Sequence, residues 1–248
     1  MFDFAGKVAV VTGGASGLGE CTARVFGELG ASVALFDMQD GAGEKIAREI
    51  GNAAYFHTDV TSEAQVDRNV LLVKEKWGRI DVLVCCAGVT YPYKTVVESD
   101  LAGWEKTVNI NSRGVFFCNR AVFPVMAAQK SGKIVNIASV AAKTGGGLLG
   151  NAIYGASKAA VMSFTKGMAR EGAPFGINVN AICPGVIHTP MSEPLTPESR
   201  KVLIAVTPLK KFGEPVDIAN AVVFLCSENA AHITSICLNV DGGFMQGN

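Results

Sequence analysis

One pattern governs what this chain can fold into: short continuous runs of Val, Ile, Leu and Ala alternate with longer stretches of helical periodicity. The runs KVAVV (7–11), SVALF (32–36), DVLVCC (81–86) and KIVNIA (133–138) read as strands, as do 54–57, 178–182 and 235–240. Most lack the apolar–polar alternation of a strand with one wet face, so both faces are buried. Helical stretches at 17–30, 41–50, 61–77, 100–108, 111–129, 153–173 and 215–226 separate them. Buried strands joined by helical crossovers imply a parallel sheet. The expectation is a single α/β domain, doubly wound and Rossmann-type, with about seven parallel strands and helices on both faces.

No linker, repeat or shift in composition divides the chain, so 1–248 reads as one domain. The rhythm breaks at 185–211, which is rich in Pro, Thr, Ser and Glu and holds only a weak helix at 198–205. Irregular stretches of that length in compact domains tend to be lids or binding loops. A substrate lid is expected here, with a plain surface excursion as the alternative. The 22 basic residues balance 22 acidic ones, and no basic run stands out. A nucleic-acid binder held by phosphate contacts would show a basic excess. The longest apolar runs reach about half of the ~20 residues that span a bilayer. The N-terminus lacks the basic-then-apolar pattern of a signal peptide. These features exclude nucleic-acid and membrane partners and place the chain in the cytoplasm. Seven cysteines are an odd number for a closed set of disulfides, and no pair has zinc-ribbon spacing. They read as small buried residues, and no metal is expected.

Directly after the first strand comes Thr12-Gly13-Gly14-Ala15-Ser16-Gly17-Leu18-Gly19. Glycines at 13, 17 and 19 permit a tight turn, close backbone approach to a diphosphate, and close helix–strand packing. The helix that starts there offers free N–H groups and a positive dipole end to phosphate. Asp37 ends the second strand, where a carboxylate can accept both hydroxyls of an adenosine ribose. It can also simply cap the next turn. A 2′-phosphate beside it would meet like charge, at about 4 kcal/mol per unit pair for about 4 Å and an effective dielectric near 20. No Arg or Lys at 14–19 or 37–40 offsets this, so NAD(H) is the expected cofactor. Asp59 and Val60, after the third strand, are candidates for the adenine, with a solvated turn as the alternative.

Tyr154 and Lys158 stand four apart at the start of a long helix and share one face. A free phenol titrates near 10, and moving it to about 7 takes roughly 4 kcal/mol. One cation at about 4 Å in a partly dry site supplies that order of magnitude. The pair can therefore exchange protons at neutral pH. Alone, Tyr-x-x-x-Lys is a common helix-surface pattern. Here the glycine turn, Asn111, Ser139, the Tyr154/Lys158 pair and Pro184-Gly185 occur together, in order. From Phe4 to its end, the chain resembles the short-chain dehydrogenase/reductase family.

That resemblance implies roles. Tyr154 would be the general acid/base, and Lys158 would lower its pKa and bind the nicotinamide ribose. Ser139 would hydrogen-bond the reacting oxygen, and Asn111 would hold a water linking Lys158 to solvent. Ser16 and Leu18 would join the three glycines around the cofactor, and Ala87 and Gly88 would face the adenosine ribose. Pro184, Gly185, Val186 and Thr189 would bind the nicotinamide. A homotetramer is implied, built on helices 111–129 and 153–173 with the last helix and strand. Where many members carry Asn-Asn-Ala-Gly, this chain has Cys85-Cys86-Ala87-Gly88, and a thiol at 86 cannot make an amide's hydrogen bonds.

Substrate candidates are Ser139, Val140, Leu148, Asn151, Tyr154 and Met191, with Tyr91, Leu149, Val186 and Leu195 nearby in sequence. The set is mostly apolar and fits a secondary alcohol or ketone. Lys94 and Lys143 are candidates to draw an anionic group. The expected activity is NAD-dependent alcohol dehydrogenase or ketone reductase. A 3-oxoacyl-carrier-protein reductase, a sugar or polyol dehydrogenase, and a cofactor-binding regulator without catalysis are the alternatives.

Overall fold

The computed structural model describes residues 2–90, 94–147 and 150–245. Seven strands form one parallel sheet in the order β3-β2-β1-β4-β5-β6-β7. They are β1 (Val8–Thr12), β2 (Ser32–Asp37), β3 (Ala53–His57), β4 (Val82–Cys85), β5 (Gly132–Ile137), β6 (Ile177–Pro184) and β7 (Cys237–Val240). The expected fold class is therefore observed. Helices α1 (Gly17–Glu28), α2 (Asp40–Ile50) and α9 (Pro215–Cys226) cover one face, and α3 (Glu63–Trp77), α5 (Gly114–Gln129) and α7 (Ala152–Gly172) cover the other.

Successive strand residues feed opposite cores. Val10, Leu83 and Ile134 pack with Val70, Val122 and Met126 of α3 and α5. Val11, Leu35 and Val84 pack with Phe26, Ile46 and Ile218 of α1, α2 and α9. Burial of each such side chain contributes about 1.5–3 kcal/mol. One buried polar chain crosses the first core: the Asn119 amide donates to Asn136 at 2.9 Å, and the Asn136 amide donates to Thr165 at 3.0 Å. It pins β5 to α5 and α7, and its buried polar groups are partnered.

Several boundaries differ from the sequence reading. The stretch 111–129 is not one α-helix: Asn109–Arg113 is a π-helical turn leading into α5, preceded by α4 (Leu101–Val108). A four-residue helix, α6 (Ala141–Thr144), was too short to show any periodicity. The stretch 185–211 contains a 3-10 turn at Pro190–Ser192 and α8 (Pro197–Val206). Strand order reverses between β1 and β4, so the crevice of the sheet opens at their carboxyl ends. Among the described residues, no helix is long and apolar enough to cross a membrane.

Candidate active site

Two positions in the turn after β1 are packed so closely that only glycine fits. A Cβ on Gly13, whose φ is 66°, would lie 2.9 Å from the Ala87 backbone; one on Gly19 would lie 2.0 Å from the Gly13 carbonyl oxygen. The Ala87 N–H donates to Thr12 Oγ1 at 3.1 Å, locking the β4 loop beside this turn. Asp37 Oδ2 accepts the Ala15 N–H and Oδ1 the Gln39 N–H, both at 3.0 Å. The carboxylate thus caps its own turn and also tethers the glycine loop. Ser16, Gly17, Leu18, Asp37, Asp59, Val60, Ala87 and Gly88 border one open groove with Gly13 and Gly19. Asp59 Oδ1 also closes the turn before α3, accepting from the Thr61 N–H and hydroxyl at 2.8 Å.

Beside the groove lies a cavity, open to solvent, bordered by Ser139, Val140, Tyr154, Lys158, Pro184, Gly185, Val186, Thr189 and Met191. Asn151 Oδ1 caps α7 by accepting the Ile153 and Tyr154 N–H groups at 3.1 and 3.2 Å. That cap sets where the phenol stands. Tyr154 is buried, and two influences act on it: burial raises its pKa, and a hydrogen bond with Ser139 lowers it. Ser139 Oγ accepts the Ala141 N–H at 3.1 Å, which fixes the oxygen at the end of β5. Lys158 is only 4% exposed, and Nζ donates to the Ile137 carbonyl at 2.8 Å. Burial lowers this ammonium to about 8. The sequence reading gave the lowering of the phenol to Lys158; here Ser139 does it, because the ammonium is turned onto the end of β5.

Asn111 is fully buried in the π turn. Its Oδ1 accepts the Val89 N–H at 2.8 Å, and its Nδ2 donates to the Val89 carbonyl at 2.9 Å and Ser157 Oγ at 3.0 Å. The side chain therefore braces the loop after β4, and a water relay would fall to main-chain atoms. A Cβ on Gly88 would sit 3.3 Å from both Asn111 Oδ1 and Lys158 Nζ, so glycine brings the groove and the ammonium together.

Residues 13–245 match the family model described as "Enoyl-(Acyl carrier protein) reductase". The "3-oxoacyl-[acyl-carrier-protein] reductase FabG" of Thermotoga maritima is 36% identical, aligned over 97% of this chain and 98% of the relative. The "2,5-dichloro-2,5-cyclohexadiene-1,4-diol dehydrogenase LinX" of Sphingobium indicum is also 36% identical, over 98% of each. The crystal structure of gox2181 superposes with a TM-score of 0.93 at 33% identity, covering 98% of this chain and 96% of that one. The chain belongs to the short-chain dehydrogenase/reductase family. Its members are oxidoreductases that typically use a nicotinamide cofactor. The residues here fit one: Gly13, Ser16, Gly17 and Gly19 border the groove at the start of α1, where no side chain caps the helix N–H groups that a diphosphate would take.

Cys86 borders both groove and cavity; burial pushes its thiol up to about 12, so it stays neutral beside Lys158. Thr22 hydrogen-bonds it, a small replacement for an amide's contacts. Asn151 is not on the cavity wall; its side chain is the α7 cap. Lys143 Nζ donates to Asn239 Oδ1 at 2.8 Å, and Lys94 lies 4.0 Å from Asp100. Leu148, Leu149 and Tyr91 lie outside the described residues. Thr144, Leu203 and Phe244 border the cavity and were not anticipated. They come from the unforeseen α6, from α8 and from the last described turn, and no local motif marks them.

Proposed function

We propose that this chain is an NAD(H)-dependent dehydrogenase/ketone reductase for secondary alcohols, a single dinucleotide-binding and catalytic domain over 1–248 with 185–211 as its lid. The observation that carries the reading is that Ser139, Tyr154 and Lys158 border one largely apolar cavity that shares Leu18, Gly88 and Thr189 with the glycine groove. When bound, the nicotinamide supplies the hydride acceptor for alcohol oxidation or the donor for ketone reduction. Glycines 13, 17 and 19, Ser16 and Leu18 hold the diphosphate, and Asp37 takes the adenosine ribose hydroxyls. Asp59, Val60, Ala87 and Gly88 flank the adenosine, and Pro184, Gly185, Val186 and Thr189 position the nicotinamide.

In oxidation the alcohol's hydroxyl proton passes to Tyr154 Oη while its carbon loses hydride, leaving a ketone. In reduction Tyr154 returns the proton to the carbonyl oxygen. Ser139 holds that oxygen by hydrogen bond in both directions. Lys158, still largely charged at neutral pH, binds the nicotinamide ribose. Met191 and Val140 supply apolar walls, and no carboxylate borders the cavity among the described residues.

A 3-oxoacyl-carrier-protein reductase is the second reading, favoured by the match to the Thermotoga protein. Asp37 argues against NADPH, and the lysines near the mouth are engaged with Asn239 and Asp100 rather than free for an acidic carrier. Absorbance at 340 nm decides: NAD with secondary alcohols supports the first reading, and NADPH with an acetoacetyl thioester supports the second. Tyr154→Phe is expected to lower turnover by about 10²–10⁴-fold while NADH binding remains. Loss of NADH binding along with activity, or no affinity for either dinucleotide in the wild type, overturns the reading.

The same reading includes a homotetramer. Phe116 on α5 and Val216 and Phe224 on α9 are exposed aromatic or aliphatic side chains on helices expected to meet a second copy. A sedimentation value for a monomer would remove this part. Seven free thiols fit a reducing cytoplasm.

A further inference from the structure

Phe244 borders the same cavity as Tyr154 and Ser139, although it lies in the last turn of the described chain. That turn is built rather than trailing. Asp241 Oδ1 accepts the Gly243 N–H and Oδ2 the Met245 N–H, both at 2.9 Å. The Phe244 N–H donates to the Asp241 carbonyl at 3.2 Å. Its foot is fixed to the end of the sheet. A Cβ on Gly185 would lie 2.8 Å from Asp241 Cα, and the Gly185 N–H donates to the Val240 carbonyl at 3.1 Å. Its other side is fixed to the lid. The Leu209 N–H donates to the Gly242 carbonyl at 3.1 Å. Gly242 and Gly243 have φ of 64° and 84°, and Cβ atoms on them would lie 2.8 Å from Thr207 and 3.2 Å from Pro208. Left-handed glycines thus let the chain pass close over the end of α8 and deliver the Phe244 ring to the cavity.

We propose that Phe244 is a specificity-determining residue whose ring, with Met191 and Leu203, limits the size of the uncharged, apolar secondary alcohol that reaches Tyr154. The inference rests on the alcohol dehydrogenase reading above. An aromatic ring on a backbone turn held in this way removes volume that an apolar substrate would otherwise fill, and hydrophobic pockets discriminate by about 10–200-fold per methylene-sized change. The wall also selects against charge. Lys158 is the one ionisable side chain besides Tyr154 and Cys86 on the described lining, and it is engaged with the Ile137 carbonyl.

The test compares kcat/KM with NAD for isopropanol, cyclohexanol and a phenyl-substituted cyclohexanol in the wild type, Phe244→Leu, Phe244→Ala and Phe244→Trp. Phe244→Ala is expected to raise the bulky-to-small ratio by about tenfold or more, through a lower KM for the bulky alcohol. Phe244→Leu should raise it less, and Phe244→Trp should lower it. A role confined to packing the tail would slow all three alcohols alike, so ratios within about twofold of wild type overturn the inference. The Leu and Trp variants decide the matter if the Ala variant fails to fold, as thermal melting will show. Turnover by the wild type with unmoved ratios rejects the size limit alone. No turnover of any alcohol or ketone by the wild type, with either dinucleotide, rejects the underlying reading and this inference with it.

Discussion

Lys158 shows how a functional residue works against the fold that holds it. Its ammonium is buried and lowered to about 8, while an unfolded lysine titrates near 10.4. Between those values the unfolded chain binds the extra proton, so stability rises with pH across that window. Below about 8 both states are charged and the burial penalty is fully present. Lys158→Met removes the charge and also the donor to Ile137, which costs about 1–3 kcal/mol at any pH. The pH trend separates these effects: the variant's melting temperature relative to wild type should fall as pH is raised from about 7 to 10. A gap that stays flat would mean Lys158 is not destabilised by burial. Tyr154 gives the kinetic counterpart. Burial raises its pKa, so the resting phenol carries its proton at neutral pH. Ketone reduction should then be near its maximum at neutral pH and fall in alkali, while alcohol oxidation rises with pH; pH profiles in both directions check this. Tyr154→Phe should lower kcat by about 10²–10⁴-fold. The Tyr154/Lys158 pair was legible because a four-residue spacing fixes which side chains share a helical face. The direction of Lys158 Nζ was not, since it depends on a carbonyl at the end of a strand distant in sequence.

At the scale of elements, the long helix α7 and its cap carry the clearest prediction. Asn151 was expected at the substrate, yet its carboxamide oxygen holds the Ile153 and Tyr154 N–H groups in the first turn of α7. Asn and the start of a helix were both visible in the sequence. What was hidden is that its Nδ2 also reaches back to the Lys94 carbonyl and the Ser99 hydroxyl, both at 3.4 Å, drawing the side chain away from the cavity. Asn151→Ala should cost about 0.5–2 kcal/mol of stability, measured by urea unfolding. It should also reduce kcat more than KM, because the cap sets the position of Tyr154. An effect on KM alone would return Asn151 to a substrate-contact role. The strands were legible because burial on both faces writes an uninterrupted apolar run. The π turn at Asn109–Arg113 was not, since it inserts a local change of helical repeat inside an otherwise periodic stretch.

At the scale of the molecule, the groove draws on the ends of β1, β2, β3 and β4 and on Thr189 and Pro190 beyond β6. A ligand lying along it ties together segments that are separate in sequence and stabilises the whole domain. At about 100 times its Kd a ligand adds about 2.7 kcal/mol. For a domain of 150–250 residues each kcal/mol moves the melting temperature by about 2–4 °C, so saturation with NAD should raise it by about 5–10 °C. The Asp37 carboxylate, held on the Ala15 and Gln39 N–H groups, cannot swing away from a 2′-phosphate without releasing the glycine loop. NADP at equal concentration should therefore give a clearly smaller shift. Asp37→Ser removes the like charge, and in that variant the two shifts should converge, by loss with NAD and gain with NADP. Equal shifts in the wild type would reject the NAD assignment and move the carrier-protein reductase reading ahead.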